Sequence, residues 1–377
     1  MRTPSPTTPC WAMAPMGQGK NTMTNPEAPD SEVGVSEAGD VDTGQTRGSL
    51  FLSDGWWRHL RQMSPLNVSA LYLAAALFAY FAIRIPDTFL RQSTWTTMAS
   101  QQSVTIIVAL GVLIPVLAGV FDISVAFTLG LSSTILAKLM AEHGFTWWEG
   151  ALVVIGISIA VGLVNALLIA YFRLSSLIAT LGSGSIIGAI DLRISGGRTL
   201  GIRDVSFTDL ASNKLFGLTW PVWFALVLTA LVWFVTERMP VGRRMYAIGG
   251  SVRSARLIGI PVSQYVVGSL VISSIFGAVA GVVISARIGA ASPGISASFL
   301  LSGFAAVFLG ATQLKGGKFN AWGTTLAIFA LAVGTKGFEL QGVKIWIHDF
   351  FYGTALVVAM AISNWPKRSM LEPTGSG

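Results

Sequence analysis

ALVVIGISIAVGLVNALLIAY, residues 151–171, carries no charged side chain and a single amide, Asn165. It matches the roughly 20 consecutive apolar residues that an α-helix needs to cross hydrocarbon, and it is far longer than a buried strand. A helix that is apolar on every side has no face for water, so this stretch belongs in lipid. The same pattern recurs on both sides of it. Apolar runs separated by short polar breaks fall at approximately 68–84, 96–119, 122–140, 149–171, 175–193, 218–236, 262–286, 298–314, 320–336 and 346–364. They predict an all-α, polytopic membrane protein with about ten transmembrane helices. Pro115 inside the second run, and Gly182 and Gly184 in the fifth, predict short or broken helices. Broken helices are tolerated in a membrane only where protein or a water-filled cavity satisfies the freed backbone groups.

Composition agrees with this reading. The 377 residues are 52% hydrophobic and 11% charged, which is far too apolar for an ordinary soluble domain. The net charge of +7 is dispersed among apolar runs rather than gathered into a basic stripe, so nucleic acid is not an expected partner. Cys10 is the single cysteine, and His59, His143 and His348 are scattered. No metal-ligand spacing results, and neither a metal nor a cofactor is expected. Paired acids, H-E-x-x-H and a serine beside a usable base are all missing from the sequence, so no catalytic residue is assigned.

Three regions follow. Residues 1–55 are rich in Pro, Ser, Thr, Gly and acids, and are expected to form a disordered cytoplasmic tail without a secretory signal core. Residues 56–366 form the membrane domain, entered through an interfacial anchor at Trp56, Trp57, Arg58 and Arg61. Residues 367–377 form a short C-terminal tail. An even number of spans puts both termini on one side. The concentration of Arg238, Arg243, Arg244, Arg253 and Arg256 between the sixth and seventh runs, with Lys367 and Arg368 near the end, places that side in the cytoplasm.

Within this basic loop, Ser251 is a suitable N-cap, VRSARLI follows without a breaker, Gly259 suits a left-handed C-terminal position and Pro261 prevents continuation. A short helix over 251–259 is expected. So short a helix is unstable alone in water and gains most from a groove in another protein. The alternative is a solvated basic loop obeying the positive-inside rule.

GRRMYAIGGSVRSARLIGI, residues 242–260, resembles the cytoplasmic loop of permeases of ribose-type sugar ABC importers. The resemblance continues in order through LAGVFDISVAFTLGLSS (117–133), RLSSLIATLGSGSIIGAI (173–190), SARIGAASPGI (285–295) and AAVFLGATQLKGGKFNAWGTTLAI (305–328). It covers essentially residues 60–365. The chain departs from the family pattern at Val120 and Ala126, where glycines are usual, and at Phe319. The resemblance implies a non-enzymatic transport subunit in a bacterial plasma membrane. Its implied partners are a second copy of itself, a separate ABC ATPase subunit, an extracytoplasmic solute-binding protein and a sugar or polyol. It also implies that Arg243, Arg244, Gly249, Gly250, Ser251, Arg253, Arg256 and Gly259 couple the chain to the ATPase. MGQGK and KGGKF both fail the spacing of a phosphate-binding loop, in keeping with ATP hydrolysis on another chain.

Asp122 is the only acid this reading places within the membrane. It either contacts passing substrate, together with Ser124, or caps the helix that follows. Asn165 is a further candidate for the pathway, or for an interhelical hydrogen bond. The G-x-x-x-G pairs Gly184/Gly188 and Gly277/Gly281 are expected to pack helices closely. Lys336, Glu339, His348 and Asp349 bracket an outer loop, as plain solvated surface or as a rim for the binding protein. Two other functions fit the same features: a permease for nucleosides or branched-chain amino acids, and an ion-coupled secondary carrier, which ordinarily needs ionisable groups at mid-membrane.

Overall fold

A computed structural model describes residues 69–313, 317–344 and 346–368. The expected N-terminal tail, the anchor at residues 56–61 and residues 369–377 of the expected C-terminal tail lie outside the described residues, whereas Lys367 and Arg368 belong to the last helix rather than to a tail. In chain order the helices begin with α1 (Ser69–Arg84), α2 (Pro86–Phe89), α3 (Gln92–Leu117), α4 (Ser124–His143), α5 (Trp147–Ala166) and α6 (Ser176–Ser195). They continue with α7 (Val205–Ser212), α8 (Trp220–Arg238), α9 (Pro240–Gly250), α10 (Val252–Leu257) and α11 (Val262–Ile288), then α12 (Ser296–Ala311), α13 (Ala321–Leu340) and α14 (Trp346–Arg368). Among the described residues, strands occur only as two-residue pairs: β1 (Leu200–Gly201) with β4 (Ala290–Ala291), and β2 (Lys214–Leu215) with β3 (Leu218–Thr219).

Every expected membrane run coincides with a helix. Six of the helices among the described residues are long and apolar enough to cross a bilayer, and α1 and α12 are shorter apolar helices. The protein is therefore all-α and polytopic. At the centre stands α3, whose residues from Met98 to Leu117 are buried with the sole exception of Gln101. It packs against α8, α11, α12 and α13. By contrast, α5, α6 and α8 leave most of their apolar surface exposed, the distribution expected of helices that meet lipid or a partner.

Local chemistry explains the helix ends. At the start of α5, Thr146 and Glu149 form a reciprocal capping box, with the Glu149 carboxylate accepting from the Thr146 amide at 2.9 Å and from its hydroxyl at 2.7 Å. Gly144, Gly196 and Gly289 take left-handed conformations at the ends of α4, α6 and α11. Pro115 does not break α3; it falls in the last turn, where the helix stops at Leu117.

The glycines of the fifth run do not break their helix either, and α6 is continuous. Gly184 instead makes room for an aromatic ring: a Cβ there would lie 2.6 Å from Phe127 of α4. The irregularity that does occur is a π-helical turn over Leu167–Tyr171 at the end of α5. Gly277 and Gly281 serve the close packing expected of them, since a Cβ on either would lie 2.6 Å from the carbonyl oxygens of Val125 and Leu129. Gly277→Ala or Gly281→Ala is expected to push α11 off α4 at a cost of about 1–3 kcal/mol. A lowered unfolding midpoint in detergent, with normal membrane insertion, is the measurement.

Candidate functional site

The connections 118–123, 172–175, 239–261 and 317–320 gather at one end of the helices. There the basic stretch forms two helices rather than the single one expected. α9 precedes α10 because Pro240 occupies its first turn, and Gly242, Met245 and Ile248 recur on one buried face. That three-residue spacing was the available signal for α9. α10 is shorter than the expected helix, ending at Leu257, but its cap is as anticipated: Ser251 Oγ accepts from the Ser254 amide at 3.2 Å. Gly259 is left-handed, with φ of 78°.

The arginines divide by position. Arg253 and Arg256 project from α10 into solvent. Arg244 donates to Tyr265 Oη at 3.0 Å, bracing α9 on α11. Arg243 joins Glu237, Arg238 and Lys318 around a cavity of about 680 Å³. The sequence reading missed the apolar members of this surface. Leu257 is 82% exposed and Ile258 72% exposed, whereas Ala255 is buried beneath them. Two large apolar side chains are thus held out at the end of a capped helix.

The glycine pair also divides. Gly250 has open space around it, but a Cβ on Gly249 would lie 2.6 Å from the Leu117 carbonyl oxygen. Across this contact, Gly119 is left-handed (φ 76°), and a Cβ there would lie 3.4 Å from the Gly249 Cα. The end of α9 therefore presses backbone to backbone on the α3–α4 turn. Tyr246 of α9 donates its hydroxyl to the Phe319 carbonyl. Burial, with Glu237 nearby, pushes the Tyr246 phenol up to about 12, so this donor keeps its proton at physiological pH.

Asp122, Ser124 and Asn165 meet in one hydrogen-bonded node, all three with no exposed surface. Asp122 sits one residue before the N-cap of α4, and its Oδ1 accepts from the Ser124 amide at 2.9 Å and the Ser124 hydroxyl at 2.6 Å. Asn165 Nδ2 of α5 donates to Ser124 Oγ at 2.7 Å. Ser273 of α11 is the next polar neighbour of the carboxylate, but neither its Oγ nor Asp122 Oδ2 completes a hydrogen bond.

Asp122 is not the only acid inside the helices. Asp191 of α6 is also buried, and its position within the fifth apolar run was sufficient to place it there. A Cβ on Gly130 would lie 3.3 Å from Asp191 Oδ2 and 3.5 Å from Ser296 Oγ, so the carboxylate sits beside the first residue of α12. At the outer-loop position, Lys336 pairs with Glu339 at 3.1 Å.

A transmembrane bundle with a two-helix basic projection at one end fits a transport subunit. A family model described as branched-chain amino acid transport system / permease component matches residues 95–360. The chain belongs to this family of permeases. The permease is 30% identical over 293 residues to the D-allose transport system permease protein of Escherichia coli (strain K12), covering 77% of this chain and 89% of that one. It is 25% identical over 357 residues to a fructose import permease protein of Rhizobium meliloti, covering 92% and 98%. A ribose import permease protein of Haemophilus influenzae is 28% identical over 290 residues, 76% of the permease and 88% of its relative. No solved structure matches. Family membership and the apolar helices make the permease a multi-pass inner-membrane protein.

Proposed function

We propose that this permease is the membrane subunit of an ABC importer for a sugar or polyol, working as a homodimer with a separate ATPase and an extracytoplasmic binding protein. The observation that carries the reading is the α9–α10 projection. It presents exposed Leu257, Ile258, Arg253 and Arg256 to a partner while Gly249 rests on the turn that leads into α4. A sugar is favoured because the relatives above are named for allose, fructose and ribose. The family description, which names branched-chain amino acids, keeps that substrate class as a second reading.

The basic loop and both termini lie in the cytoplasm, as the clustered arginines argue. The ATPase receives α10 in a groove, and alternating access opens a path first to one side and then to the other. Asp122, Ser124 and Asn165, buried within the protomer, hold the start of α4 to α5 and do not touch substrate.

Substituting Arg253 and Arg256 together by Glu tests the docking. ATP-driven uptake into membrane vesicles is expected to fall about tenfold or more, with insertion of the permease unchanged, because like charges replace complementary ones at the contact. Uptake at the unaltered rate would remove the coupling role from α10.

A further inference from the structure

The α3–α4 turn, residues 118–123, is tied to three separate helices. On one side it meets the end of α9: a Cβ on Gly119 of the turn would lie 3.4 Å from the Gly249 Cα, and one on Gly249 would lie 2.6 Å from the carbonyl oxygen of Leu117, the last residue of α3. That contact has no slack. On the other side the turn is fastened to the first two turns of α6. The Phe121 amide donates to Ser176 Oγ at 3.2 Å, and the Ile123 amide donates to Thr180 Oγ1 at 3.1 Å. The Thr180 hydroxyl is directed at backbone carbonyls, Phe121 O at 3.3 Å and Ser176 O at 2.8 Å. Beyond the turn, the node of Asp122, Ser124 and Asn165 joins α4 to α5.

The Phe121 and Ile123 amides take their partners from side chains of α6, whereas the amides of residues 118–120 pair with carbonyls of α3. A displacement of the turn by α9 therefore pulls on the partly buried hydrogen bonds that hold it to α6. It is passed on. The receiving helix is suited to move as a unit, because α6 is continuous, exposes most of its apolar surface and grips Phe127 of α4 through Gly184 and Gly188.

We infer that residues 118–123 are the transmission element of the transporter, and that Ser176 and Thr180 are the positioning residues through which a displacement of α9 reaches α6. This rests on the reading of α9–α10 as the ATPase-docking projection. The coupling is physical: a packed backbone contact at one end and two hydroxyl-to-amide bonds at the other.

Hydrogen–deuterium exchange of the full-length permease in complex with its ATPase subunit, with and without ATP, tests it. In the wild type, ATP is expected to change exchange in 118–123 and in 176–195 together. In Ser176→Ala/Thr180→Val the change in 118–123 persists and that in 176–195 is lost, whereas Thr180→Ser, which keeps the hydroxyl, behaves as wild type. A response in 176–195 that survives the double substitution, or a wild-type complex whose α6 responds while 118–123 does not, overturns the inference. So does an assembled wild-type complex in which ATP alters neither segment. Should the double variant fail to fold, Gly249→Ala tests from the other end: its methyl group meets Leu117 O and is expected to shift exchange in both segments of the resting complex, and a shift in neither overturns the inference. An ATPase subunit that never associates with the wild-type chain defeats the docking reading instead, and the inference with it.

Discussion

Replacing Leu257 and Ile258 together by Asp is expected to weaken association with the ATPase subunit about a thousandfold. Both side chains are largely exposed at the end of α10. Burying a Leu or Ile side chain in a partner groove is worth about 1.5–3 kcal/mol, and the pair therefore supplies about 4 kcal/mol, or three powers of ten in affinity. The substituted carboxylates would also have to be desolvated against an apolar groove. The helix itself should survive, because the Ser251 cap and the buried Ala255 are untouched. Retention of tagged permease by the ATPase measures the loss, with the unfolding midpoint of the permease as control. Undiminished retention would leave the exposed pair without a partner. The effect exceeds that expected for Arg253 and Arg256, whose rim charges act through screened electrostatics and respond to salt.

Asp122→Leu carries the second large effect, here on stability. It removes the acceptor shared by the Ser124 amide and hydroxyl in a fully buried node, and leaves two donors to find new partners away from water. Breaking such a node from one side costs about 3 kcal/mol. Asp122→Asn retains the Oδ1 acceptor at the same place, so its loss should be well under half as large, with the order in which sugars compete for uptake unaltered. Thermal unfolding in detergent and competition among labelled D-allose, D-ribose and D-fructose distinguish the two roles. An Asp122→Asn variant that melts as wild type yet reorders the sugars would make the carboxylate a pathway contact.

The membrane helices were legible because hydrocarbon demands a length: each of the ten expected runs coincides with a helix, and six of the described helices are long and apolar enough to cross a bilayer. The ends of α10 were legible to within a few residues because a cap and a left-handed glycine, Ser251 and Gly259, flank it. What the sequence hid was the use of each glycine. Gly182 and Gly184 look alike in the chain, yet one faces open space and the other accepts the Phe127 ring. Gly249 and Gly250 divide in the same way. Such differences are set by which helix lies opposite, a long-range property that local pattern does not carry. α9 was missed because its arginines drew attention to charge, while its buried face is only three residues wide. The meeting of Asp122, Ser124 and Asn165 required two helices to pack before a list of candidate residues became one node. Asp191 was within reach of simple counting along the fifth apolar run.

If an external ATPase works the α9–α10 projection, as proposed, the membrane body needs no engine of its own. Reconstitution tests this most directly: the purified permease is placed in lipid vesicles alone, or with its ATPase and binding protein, and offered labelled D-allose, D-ribose and D-fructose. Accumulation against a gradient is expected only with the ATPase and ATP present, and none from a proton or sodium gradient acting on the permease alone. Accumulation driven by an ion gradient without the ATPase would contradict it, and would assign buried Asp122 and Asp191 to an ion-coupled carrier.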